Sequence, residues 1–174
     1  MLRSAMAGMV AVLGFVGAAF GQGFSQPGPE HKRLQEFVGT WDAVMTFGDQ
    51  KSQATSTYRA ICGGMWVESD YEGMLGEVKF SGRGIDGYDQ QKKKYVGLWV
   101  DSVSSAPLRM EGDYNPETKQ LVMTGESRGP DGQPQKFKAV TETRDKDHFT
   151  FRMYMLPPNG EDQLAFTIEY TRKK

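Results

Sequence analysis

Glu68 and Asp70 are the side chains whose type and spacing come nearest to chemistry. They lie two apart in Met65–Tyr71, a stretch that reads as a β-strand, so they share a face with Trp66 and sit about 6–7 Å from one another. Two carboxyl groups at that spacing can serve as a general acid and a general base. If Trp66 points into a protein interior, both carboxyls follow it. A carboxylate there must find a partner or take up a proton. Tyr58, Arg59 and Arg83, on neighbouring strands, are the available partners. In that placement Glu68, with a nearby Tyr or Arg, anchors the polar end of a bound molecule. In the opposite placement Trp66 faces out and the carboxylates are solvated.

Other reactive constellations are weaker. Cys62 is the only cysteine, so the chain cannot form an internal disulfide. It precedes Gly63-Gly64 and reads as a small apolar residue near a turn. A nucleophilic thiol needs a base beside it, and the histidines are limited to His31 and His148. His148, at the start of a strand, is the one side chain placed to hold a haem, but a histidine at a turn edge is ordinarily exposed and inert. Zinc needs several His or Cys ligands together. There is no Gly-x-Ser-x-Gly elbow, His-Glu-x-x-His or phosphate loop. No catalytic residue, metal or cofactor is assigned, and the residues favour a binding protein over an enzyme.

These side chains would be positioned by a run of short strands. After Gly39 the apolar period is two: Trp41, Ala43, Met45 and Phe47 oppose Asp42 and Thr46. Turn residues interrupt at Gly48-Asp49, Gly63-Gly64, Asp86-Gly87-Tyr88-Asp89, Asn115-Pro116, Gly129-Pro130-Asp131-Gly132, Asp145-Lys146-Asp147 and Pro157-Pro158-Asn159-Gly160. The alternation predicts about ten strands joined by short connections, hence antiparallel neighbours. Their charged outer face excludes a transmembrane barrel. The expected fold is all-β: a closed antiparallel up-and-down barrel, capped at one end by a short helix over His31–Phe37. An open sandwich would need longer crossovers.

The inward face then carries Met45, Tyr58, Trp66, Glu68, Tyr95, Trp99, Met110, Met123, Phe151, Met153 and Phe166. A cavity lined this way suits a small, mainly apolar ligand, with methionine adapting to its shape. The same side chains could instead pack on each other and fill the barrel, leaving a structural or interaction protein. If Tyr95 and Trp99 point in, Val96, Leu98 and Val100 point out together, which predicts a homodimer through strand 94–101.

The chain has 174 residues, a formal net charge of −1 and a pI near 6.1. That balance argues against nucleic acid as a partner, and Lys92-Lys93-Lys94 reads as a solvated hairpin tip. Residues 1–21 read as a signal peptide: a basic start, an apolar run and the small-residue exit Ala19-Phe20-Gly21. The apolar run is about 16 residues, shorter than the ~20 that span a bilayer. An exported protein, periplasmic or secreted, is expected. Residues 22–30 read as a flexible tether and 31–174 as one domain.

Gly39-Thr40-Trp41, after a short helix and at the start of the first strand, resembles the Gly-x-Trp entry of the calycins, which include lipocalins. The resemblance implies that Trp41 closes one barrel end with Arg172 across its ring. His31-x-x-Leu34, Gly63-Gly64, Gly82-x-Gly84-x-x-Gly87-Tyr88-Asp89 and Tyr95-x-x-x-Trp99-x-Asp101-Ser102 resemble the bacterial domain-of-unknown-function family 1579 (DUF1579). That likeness spans nearly the whole exported part. It implies a fold and often export, and carries no catalytic residues.

Overall fold

The structure, a computed structural model, describes residues 26–129 and 132–174. The expected signal peptide, and the tether up to residue 25, lie outside the described residues. Helix α1 (Pro29–Gln35) is followed by ten strands. These are β1 (Gly39–Phe47), β2 (Gln50–Ile61), β3 (Trp66–Leu75), β4 (Val78–Asp89) and β5 (Lys94–Asp101). They continue as β6 (Ser104–Asn115), β7 (Gln120–Arg128), β8 (Pro134–Asp145), β9 (His148–Leu156) and β10 (Gln163–Arg172). Each strand pairs antiparallel with the next, and β10 pairs back to β1, closing the barrel. At that seam Ala43 stands opposite Tyr170 and Trp41 opposite Arg172. Closure leaves no strand edge unpaired, which is how a meander of alternating strands avoids sticking to other chains.

Proline at the first helical position starts α1 without sacrificing a hydrogen bond. The helix begins two residues earlier than its apolar pattern suggests, because the Gly28 N–H is taken by His31 Nδ1 at 2.9 Å. Seven residues cannot hold a helix in water alone. Here α1 lies across one barrel end. Its Leu34 packs with Val67, Tyr95 and Met123, while Phe37, just beyond it, meets Phe149 edge-on at 4.9 Å.

Trp41 is almost wholly buried beneath this end. Its indole N–H donates to the Phe37 carbonyl at 2.8 Å, and the Arg172 guanidinium lies 4.0 Å from its ring centroid. Arg172 also donates to the Val38 carbonyl at 2.7 Å and the Glu36 carbonyl at 2.8 Å. One side chain thus ties the last strand to the chain leaving α1. Gly39 makes room for it. Its φ of +133° suits glycine, and a Cβ there would stand 2.6 Å from an Arg172 nitrogen.

The opposite end has no helix over it among the described residues. Its hairpin tips carry exposed apolar side chains: Phe47 at 58%, Val78 at 59%, Val103 at 56% and Leu164 at 56% of their full exposure. Met45, Phe80 and Phe166, inward-facing near that end, are only partly buried, while Phe149 and Tyr170 beneath the helix are buried.

Candidate functional site

The register fixes which side chains face the interior. Val67, Ser69 and Tyr71 of β3 stand opposite Asp86, Gly84 and Gly82 of β4, and these six share the inner face. Asp86, Gly84 and Tyr88 stand opposite Gly97, Trp99 and Tyr95 of β5. The same alternation turns Met45, Tyr58, Met110, Met123, Phe151, Met153 and Phe166 inward. Tyr95, Met123 and Met153 are buried, whereas Met45, Tyr58, Trp99, Met110, Phe151 and Phe166 keep some accessible surface.

Trp66 and Glu68 are the corrections. Val67, Ser69 and Tyr71 are buried, so β3 turns Trp66, Glu68 and Asp70 outward. Two carboxylates in an apolar interior would each need a cation. On the outer face they have two: Asp70 lies 2.5 Å from Arg59 and 2.7 Å from Arg83, with Glu68 3.8 and 3.7 Å from the same pair. Hydrogen bonds from Arg59 and then Arg83 hold Asp70 below its usual carboxyl range. Trp66 is 37% exposed. Its ring is laid flat on the outer face of Gly87, where a Cβ would come within 2.4 Å of it.

The carboxylate that does face inward is Asp86. The sequence pattern places it at the start of a turn, but β4 runs on to Asp89 and turns only afterwards. No hydrogen bond or ion pair reaches Asp86 from the described residues. Burial alone pushes its carboxyl up from 3.8 to about 7. The residue retains some accessible surface, and since it points inward that surface lies within the barrel. Glycines flank it: a Cβ on Gly97 would come 2.4 Å from Oδ1, and one on Gly84 would come 3.7 Å from Oδ2 and 2.5 Å from the Ser69 hydroxyl.

Four phenols share the barrel interior with this carboxyl. Burial, with the charge of Asp86 adding to it, raises Tyr58 to about 12. Burial likewise raises Tyr71 and Tyr95 to about 12 and pushes Tyr170 well above its usual value. All four therefore remain neutral hydroxyls at physiological pH. The Tyr71 hydroxyl is buried without a partner, which costs about 1–3 kcal/mol unless water or a ligand meets it. Trp99 forms part of the wall nearer the open end. Its ring rests on Gly82, and its N–H donates to Asp101 at 3.0 Å.

His148 is exposed at the β8–β9 turn, 2.9 Å from Asp145, and Cys62 is exposed in the turn before β3. Among the described residues no three His, Cys, Asp or Glu side chains group as a metal site, and no helix is long and apolar enough to cross a membrane.

A family profile described as protein of unknown function (DUF1579) matches residues 26–172. The chain belongs to this family. A redesigned β-barrel is similar in structure, with a TM-score of 0.43 and 15% identity, covering 81% of this chain and 95% of that one. No curated protein matches.

This DUF1579 barrel also carries a groove of about 760 Å³. By register it lies on the outside, with Trp66, Ile85, Val96, Leu98 and Leu156 forming its apolar part. Lys92, Arg109 and Lys136 stand around it with Glu111 and Glu126. Inside the barrel, under α1, a void of about 10 Å³ remains beside Leu34, Phe37 and Tyr95, too small to hold more than one water.

Proposed function

We propose that this protein binds a small, mainly apolar molecule in the barrel interior, admitted at the end opposite α1. The observation that carries this reading is the contrast along the barrel. Beneath the helix Trp41, Tyr95, Phe149 and Tyr170 are buried, and toward the other end Met45, Phe80, Trp99 and Phe166 face inward yet stay partly accessible. Apolar walls with a few fixed polar groups are what small-molecule sites are made of. The likeness to calycins read from Gly39-Thr40-Trp41 supports the same role, and the signal-peptide pattern supports a location outside the cytoplasm. Native mass spectrometry of protein purified from its own host is the test. A co-purified small molecule is expected. A bare mass, together with no uptake of a fluorescent lipid probe, would leave a filled structural barrel.

A second reading, a homodimer, is supported by the outer groove. β5 is paired on both edges, so a partner meets its face rather than extending its sheet. Val96 and Leu98 lie in the groove and Val100 is exposed beyond it. The surrounding charges are of both signs, as a self-complementary contact requires. Sedimentation should show a dimer at high micromolar concentration that Leu98→Glu dissociates. A wild-type monomer at that concentration removes this reading.

A further inference from the structure

We propose that the interior site selects a protonated amine: Asp86 receives the ammonium group of a small molecule whose body is apolar. This rests on the interior-binding reading and specifies which class of ligand it takes.

The charges on the inner face lead to this class. Along the described strands the inward charged residues are Asp86, within β4, and Asp101 and Arg172, at the last positions of β5 and β10. Arg172 is committed to Trp41 and to the Glu36 and Val38 carbonyls at the helix-covered end. Asp101 is committed to the Trp99 indole and to the Val103 and Ser104 amides. Of these three, only Asp86 has no partner among the described residues, so the uncommitted charge among them is negative. A fatty acid's carboxylate would find no free cation here and would face Asp86. An ammonium group would find the counter-charge that a buried carboxylate lacks.

The residues beside Asp86 fit this assignment. Its Oδ1 lies over Gly97, where a Cβ would come within 2.4 Å of it, and the Ser69 hydroxyl and the Trp99 ring crowd the neighbouring Gly84. Tyr88 and Tyr95, on the same inner face, meet edge-on at 5.1 Å, and Tyr58 is near enough to feel the Asp86 charge. Neutral aromatic faces attract a cation as well as an apolar chain. The titratable groups on the elements around it are Tyr58 of β2, Tyr71 of β3, Tyr88 of β4, Tyr95 of β5, Tyr170 of β10, and Glu30, His31 and Arg33 of α1. Among these Glu30 is an anion whose charge reaches Tyr95, and Arg33 is stacked on Tyr114 at 3.7 Å.

The test uses three matched probes: dansyl-labelled undecylamine, undecanol and undecanoic acid, titrated by fluorescence at pH 5 and pH 8. The amine should bind about tenfold or more tightly than the acid at pH 8, and that preference should shrink at pH 5, where Asp86 is protonated. Asp86→Asn should bind the alcohol as before and lose the preference for the amine. If that variant does not fold, the pH dependence of the wild-type preference decides. Equal binding of amine and acid at pH 8, or an amine preference kept by Asp86→Asn, overturns the head-group assignment and leaves the interior-binding reading standing. Binding of none of the three probes overturns both.

Discussion

Asp86 is the side chain whose ionisation the fold resists. Its carboxyl moves from 3.8 to about 7 because it is enclosed without a partner. Between those two values the folded protein holds a proton that the unfolded chain has released. Stability therefore falls as pH rises from about 4 to about 7 and levels off above, by roughly 4 kcal/mol for a gap of this size. Asp86→Asn removes that slope. Urea unfolding should find the variant gaining on the wild type at pH 8 relative to pH 5, and an unchanged difference would show that Asp86 is solvated. Asp70 works in the opposite sense. Paired to Arg59 and Arg83, it is held low, so its contribution is present above the ordinary carboxyl range and is lost as pH falls below it.

At the scale of elements, α1 is a plug held by its contacts rather than by its own hydrogen bonds. Leu34 is its buried anchor. Leu34→Ala should cost about 2–5 kcal/mol of the helix's docking, seen as faster amide exchange in Pro29–Gln35 while the strand ladders stay protected. Uniformly faster exchange throughout the barrel would instead make α1 part of the global core. The period-two pattern made most strands legible, most cleanly from β7 to β10, where apolar and polar residues alternate without exception over Phe149–Met155. It failed around β3 and β4 for two physical reasons. Asp86-Gly87-Tyr88-Asp89 has turn chemistry, but Gly87 is there to receive the Trp66 ring and Asp86 to face inward. The residues of β3 leave both faces open to Trp66, because the Arg59 and Arg83 side chains that settle its face lie on two other strands. Pairings across strands depend on register, which a linear reading of one strand does not contain. Ser69 and Tyr71 go unread as interior polar groups for the same reason. The alternating Gly82-x-Gly84-x-Asp86 was the available signal, because it puts an acid on the face that the glycines leave uncovered.

For the whole molecule, closure is the property with measurable content. β1 and β10 are bonded to each other as well as to their sequence neighbours. Amides along both edges of Gly39–Phe47 and Gln163–Arg172 should therefore exchange as slowly as those of a central strand such as β6. If one edge of either strand exchanges freely, the sheet is open there. Along the barrel axis, by contrast, the two ends are unlike: α1 and the Arg172 tie cover one, and hairpin tips bearing Phe47, Val78, Val103 and Leu164 surround the other. A flask with a single neck fills and empties by the same route. On the proposed interior-binding reading, whatever narrows that neck without touching the contents would slow arrival and departure in equal proportion, so the hairpin tips would govern how long a guest stays and the inner wall how tightly it is held.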